Sequence, residues 1–178
     1  MSDLRELYQS VILDHNRKPR NYGPVDDAGG RAEGRNPLCG DNVTVWVKTE
    51  GDRVTDVGFV GEGCAISRAS ASIMTTVLKG QTQHDAVALT DQFQAILTGA
   101  AAAPDTTTNT PLRPLAPLLG VSRFPLRVKC ATLAWHAFRT ALEDAMDGRG
   151  PVGATPAAPG GPTPGTGPVG ATPASPGL

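Results

Sequence analysis

Cysteine is scarce in this chain of 178 residues, which holds three of them. An odd number cannot close into a complete set of disulfides, so a cross-linked scaffold is excluded as the basis of the fold. Aromatic residues make up only 4% of the chain, which leaves the core mainly to aliphatic side chains. No apolar run approaches the length of a membrane-spanning helix. Neither sign of charge dominates: the net charge is −1, the pI about 6.3, and the densest basic cluster (Arg17, Lys18, Arg20) is short. That excludes a phosphate-tracking surface, so neither nucleic acid nor an anionic membrane is an expected partner. The first residues, Met1-Ser2-Asp3-Leu4-Arg5-Glu6, lack the basic and apolar regions of a secretory signal. The cytoplasm is the expected compartment, and reduced thiols suit it.

What is present divides sharply in two. Beyond residue 147 the composition turns to Pro, Gly, Ala and Thr with one charge, Arg149, and half of all the prolines lie there. The octapeptide Gly-Pro-Val-Gly-Ala-Thr-Pro-Ala occurs at 150–157 and again at 167–174. Such a segment cannot bury enough apolar surface to offset its ordering entropy. Residues 148–178 are therefore expected to be a disordered, dispensable tail, and residues 1–147 a single domain large enough for a real core.

The domain has an α+β pattern. Residues 3–16 put Leu4, Leu7, Tyr8, Val11 and Ile12 on one helical stripe, ended before Pro19. Val43, Val45 and Val47 alternate with Thr44, Trp46 and Lys48 as a half-buried strand, and residues 53–60 return as its antiparallel partner after a turn at Glu50-Gly51-Asp52. A third short strand is expected over 31–35. Helices are then expected over 65–79, with Gly80 as its stop, and from Thr82, whose side chain and Asp85 suggest a cap, to Leu97. A polar loop spans Asp105 to Thr110, and the leucines at 112, 115, 118 and 119 suggest a further turn or two despite Pro114 and Pro117. The last helix is expected from about Lys129 to Asp147, with Trp135 in its apolar set. The expected fold is a small antiparallel sheet of two to three strands packed against several α-helices.

Each cysteine falls at a junction between elements. Cys39 sits in the turn Asn36-Pro37-Leu38-Cys39-Gly40-Asp41 just before a strand, Cys64 follows Gly61-Glu62-Gly63 and opens a helix, and Cys130 begins the final helix. Cysteines at helix N-termini feel the macrodipole, which favours the thiolate, the form that binds metal and attacks sulfur. Taken singly, each also suits a small buried hydrophobe. Taken together with Asp41, they make the four donors that a tetrahedral zinc site needs. Three thiolates and a carboxylate on a divalent ion leave surplus negative charge, and Arg68, Arg127 and Lys129 lie near the ligands in sequence. His15, at the end of the first helix, suits a structural role. Of His84 and His136, one is expected on an exposed helix face and the other partly packed.

The chain resembles the SufU branch of the IscU/NifU-N-terminal family of iron–sulfur cluster assembly proteins. The resemblance rests on Asp14-His15, Pro19-Arg20-Asn21-Tyr22-Gly23, Asn36 to Asp41, Gly61 to Ser67, and Phe124 to Trp135. It covers roughly residues 4–147 and omits the tail. Two departures from the IscU-type scaffolds point to SufU: a longer interval between Cys64 and Cys130, fitting an inserted helical segment around 82–105, and Lys129 where the scaffolds carry histidine. The resemblance implies Cys39, Asp41, Cys64 and Cys130 as Zn2+ ligands and a SufS-type cysteine desulfurase as partner. It further implies that Cys39, displaced from zinc on docking, attacks the desulfurase's persulfide and passes the sulfur to the downstream SUF machinery. Arg127 matches a family position near the site, where it would hold the anionic site or the acceptor; a plain surface salt bridge is the alternative. Two other functions remain open: a scaffold assembling a [2Fe–2S] cluster or holding iron on the same cysteines, and a passive zinc-stabilised interaction module in which Cys39 has no chemistry.

Overall fold

The structure, a computed structural model, describes residues 2–105, 110–148 and 150. Most of the expected polar loop and nearly all of the expected tail lie outside these residues, as do the side chains of Leu4 and Leu7. Strands β1 (Gly30–Asn36), β2 (Asp41–Glu50) and β3 (Arg53–Glu62) form an antiparallel sheet in the order β1-β2-β3. Val43, Val45 and Val47 face the core, while Thr44, Trp46 and Lys48 stay half-exposed on the other side, as the period-2 pattern requires. The register pairs Asn36 with Asp41 across the first hairpin.

Strand β1 is the expected third strand, and its faint sequence signal has a physical reason. Its only aliphatic residue besides glycine is Ala32, because a helix lies almost against its backbone. A Cβ built on Gly30 would fall 1.7 Å from the carbonyl oxygen of Ala141. Nothing larger than glycine fits there.

Helix α1 (Ser2–Arg17) runs into the Asp14–Gly23 segment, whose Tyr22 bridges to Phe59 on the outer edge of β3. Helix α2 (Ala65–Leu78) is buried on nearly every side, and its run of Ser and Ala lets α1 and α5 both approach it closely. Helix α3 (Gln83–Leu97) is capped as expected, the Asp85 N–H donating to Thr82 Oγ1 at 3.1 Å. The proline-bearing segment forms a 3-10 turn (Arg113–Leu115), the short helix α4 (Ala116–Leu119) and a second 3-10 turn (Gly120–Arg123). Pro114 and Pro117 stand in first turns, where no N–H is needed.

Helix α5 (Pro125–Met146) crosses β1 and β2 and packs on α2. Its Trp135 is fully buried, with its ring 4.3 Å from that of Phe93. The indole N–H donates to Ser70 Oγ at 3.0 Å, and that hydroxyl donates to the Ala131 carbonyl at 2.5 Å. One expectation needs correction: α5 begins at Pro125, four residues before Lys129, because proline is tolerated at a helix start. Cys130 therefore lies in the second turn of α5. Among the described residues, no helix is long and apolar enough to cross a membrane.

Candidate metal centre

The hairpin between β1 and β2 carries the first two donors. The Asn36 side chain accepts the Leu38 N–H at 3.2 Å, and its carbonyl accepts those of Cys39 at 3.3 Å and Gly40 at 2.9 Å. This Asx-type turn projects Cys39 outward, where it is exposed. Asp41, the first residue of β2, points inward and is only 2% exposed. Its Oδ1 accepts the backbone N–H of Cys64 at 3.0 Å. A Cβ on Gly63 would stand 2.4 Å from that oxygen, so glycine is what lets the loop before α2 close over the carboxylate.

Cys64 is the N-cap of α2, its sulfur accepting the Ser67 N–H at 3.4 Å. The expected place at the helix mouth is what the structure has. Cys130 is 2% exposed on α5, with its Sγ 3.5 Å from Cys39 Sγ. Its setting differs from the expected one: burial above all, then hydrogen bonding to Asp41 and Cys39, pushes its thiol well above the ordinary 9.0. The helix start it was expected to feel lies more than one turn away.

The four residues thus meet at one place, contributed by a hairpin turn, a helix cap and a second helix. Donor atoms of Cys39, Asp41 and Cys130 all lie within 4.8 Å of one another. Cys64 stands outside that triplet and joins it through Asp41, with 3.9 Å between Cys64 Sγ and Asp41 Oδ2. Three sulfurs and one carboxylate oxygen, mostly withdrawn from water, suit zinc or iron and not calcium or magnesium.

Arg127 is exposed in the first turn of α5, and among the described residues no carboxylate pairs with it. Lys129 is exposed and lines a shallow hollow with Arg35, Asn36 and His136. His15 is structural: its Nδ1 lies 2.7 Å from the hydroxyl of Ser72, which also accepts the Arg20 N–H at 2.8 Å. His84 and His136 are both exposed, so the partly packed position expected for one of them is not found. The turn from Asn36 to Asp41 is where the sequence put it, but the Asn36 hydrogen bonds that hold it and the contact of Gly63 on Asp41 were not foreseen. The Asn-Pro pair was the one local signal for the turn.

A family model described as the NifU-like N terminal domain matches residues 7–111, more than half of the chain. The chain belongs to the NifU-like N-terminal domain family. Within this family of iron–sulfur cluster assembly proteins, it is 40% identical over 136 residues to the zinc-dependent sulfurtransferase SufU of Bacillus subtilis, covering 76% of this chain and 89% of that protein. It is 36% identical over 143 residues to the iron–sulfur cluster assembly scaffold protein IscU of Streptococcus pyogenes, covering 80% and 87%. The crystal structure of SufU from Fervidobacterium islandicum, described as an iron–sulfur cluster assembly scaffold protein for the SUF system, matches with a TM-score of 0.65 and 30% identity over 74% of this chain and 93% of that one. The sheet and helices of this NifU-like domain are those of its SufU and IscU relatives.

Proposed function

We propose that this protein is a zinc-dependent sulfur acceptor in iron–sulfur cluster assembly, with Cys39 as the acceptor. The observation that carries the reading is the unequal exposure of the four donors. Asp41 and Cys130 are buried and Cys64 half-buried, but Cys39 stands on an exposed turn that a partner can reach. Cys39, Asp41, Cys64 and Cys130 would hold the ion. Bound zinc would keep the thiols deprotonated at neutral pH without redox chemistry of its own.

The donor is a persulfide on a SufS-type cysteine desulfurase. The Cys39 thiolate attacks the terminal sulfur, a new bond forms between Cys39 Sγ and that sulfur, and the donor S–S bond breaks. The electron pair leaves on the donor cysteine as a thiolate, so the transfer needs no outside oxidant or reductant. The sulfur then passes to the downstream SUF machinery. Arg127, free of carboxylate partners among the described residues, supplies positive charge at the rim for the anionic donor. The likeness to a protein named as a zinc-dependent sulfurtransferase agrees with this reading.

A second reading, assembly of a [2Fe–2S] cluster on the same thiols, draws on the likeness to an IscU scaffold. One experiment separates the two. The zinc-loaded protein is incubated with desulfurase and cysteine, alkylated, and mapped by mass spectrometry. A single added sulfur on Cys39, absent in Cys39→Ala, is the expected result. Sulfur found only as sulfide with iron on the protein would overturn it.

A further inference from the structure

Arg68 is an unlikely choice for its position on every local criterion. It closes the first turn of α2, its N–H donating to the Cys64 carbonyl at 3.1 Å. A positive charge there opposes the helix dipole, and no acidic residue in that turn offsets it. Its Nε is buried and has no hydrogen-bond partner. Among the described residues the guanidinium makes no ion pair, and what holds it is the face of Tyr22, 5.7 Å from the ring centroid. Tyr22 is itself fixed edge-on against Phe59, with ring centroids 5.2 Å apart.

Beyond the contact with Tyr22 a cation so placed gains little local stability, the pattern expected of a functional position. Cys64 caps α2 and its carbonyl accepts the Arg68 N–H, so Arg68 lies one helical turn from the nearest of the four donors. Those donors, three thiolates and one carboxylate, exceed the charge of a divalent ion by two. The other basic residues named near the site in sequence, Arg127 and Lys129, are exposed to water, which screens them, whereas Arg68 is half-buried.

We infer that Arg68, braced on Tyr22, is a positioning residue of the metal centre: its charge offsets the surplus negative charge of Cys39, Asp41, Cys64 and Cys130 and so tightens the hold on a divalent metal. The inference rests on the zinc reading above and adds to it a residue outside the ligand set.

The test is zinc affinity by competition with a chromogenic chelator, together with thermal unfolding of the metal-free protein. Arg68→Gln should weaken zinc binding roughly fivefold, and Arg68→Lys should stay within about twofold of wild type, as expected for a partly screened charge. The loss should shrink at high salt. Metal-free Arg68→Gln should melt at or above the wild-type temperature, because it relieves the dipole conflict and the unpaired Nε. Wild-type affinity in Arg68→Gln would overturn this inference alone, as would a variant that loses metal-free stability and zinc affinity together. A wild-type chain that takes up no zinc would overturn the metal reading and this inference with it.

Discussion

At the scale of single residues, the centre joins donors of very different exposure, and Cys130 shows the consequence most clearly. Its thiol is held protonated in the metal-free fold because a buried thiolate beside Asp41 and Cys39 is costly. Its folded value lies above its unfolded one, so it stabilises the metal-free protein fully below pH 9.0, and that contribution is lost as pH rises through the folded value. Urea unfolding of metal-free protein from neutral pH to about pH 10 should therefore show a fall in stability that Cys130→Ser lacks. Binding of metal expels the same proton, so affinity should rise with pH over the neutral range. How much of this was legible in the sequence differs residue by residue. The glycines before Cys64 and the helical pattern after it placed that thiol at a helix cap. The burial of Cys130 was not legible, because a proline start moved the helix boundary past it.

At the scale of elements, the distance between Cys64 and Cys130 depends on how α2 seats against α5. The Trp135–Ser70–Ala131 chain of hydrogen bonds ties the two helices together inside the core. Ser70→Ala would leave the indole N–H buried and unpaired, at a cost of about 1–3 kcal/mol in denaturant unfolding with an unchanged m-value. A loss below a few tenths of a kcal/mol would show that packing alone seats the helices. Strand β2 was plain from its alternating valines, and β3 from the turn at Glu50-Gly51-Asp52 that sends the chain back. β1 was faint because the closeness of α5 selects glycine and alanine there, which carry no strand signal. Helix α2, buried on nearly every side, has no single apolar face, and its serines and threonines, Ser70 and Ser72 among them, read as polar while serving the core.

At the scale of the whole molecule, the fold brings together four candidate donors from a stretch whose ends, Cys39 and Cys130, lie 91 positions apart. The sheet carries the hairpin turn, α2 the cap and α5 the buried thiol, while the Asp14–Gly23 segment ties the end of α1 to α2 through Ser72 and Thr75 and to β3 through Phe59. No spacing rule of the zinc-ribbon kind marks such a site, so the cysteines read singly left an inert core role open. Their meeting around a buried Asp41 is the arrangement that a shared site requires. The central claim is that the site holds zinc and that Cys39 accepts sulfur. The direct measurement is metal and acid-labile sulfide content of protein purified without added metal, paired with desulfurase turnover on adding wild type or Cys39→Ala. The account predicts about one zinc per chain, no sulfide, and stimulation by wild type but not by a folded Cys39→Ala. A coloured protein holding iron and sulfide, with turnover indifferent to Cys39, would contradict it.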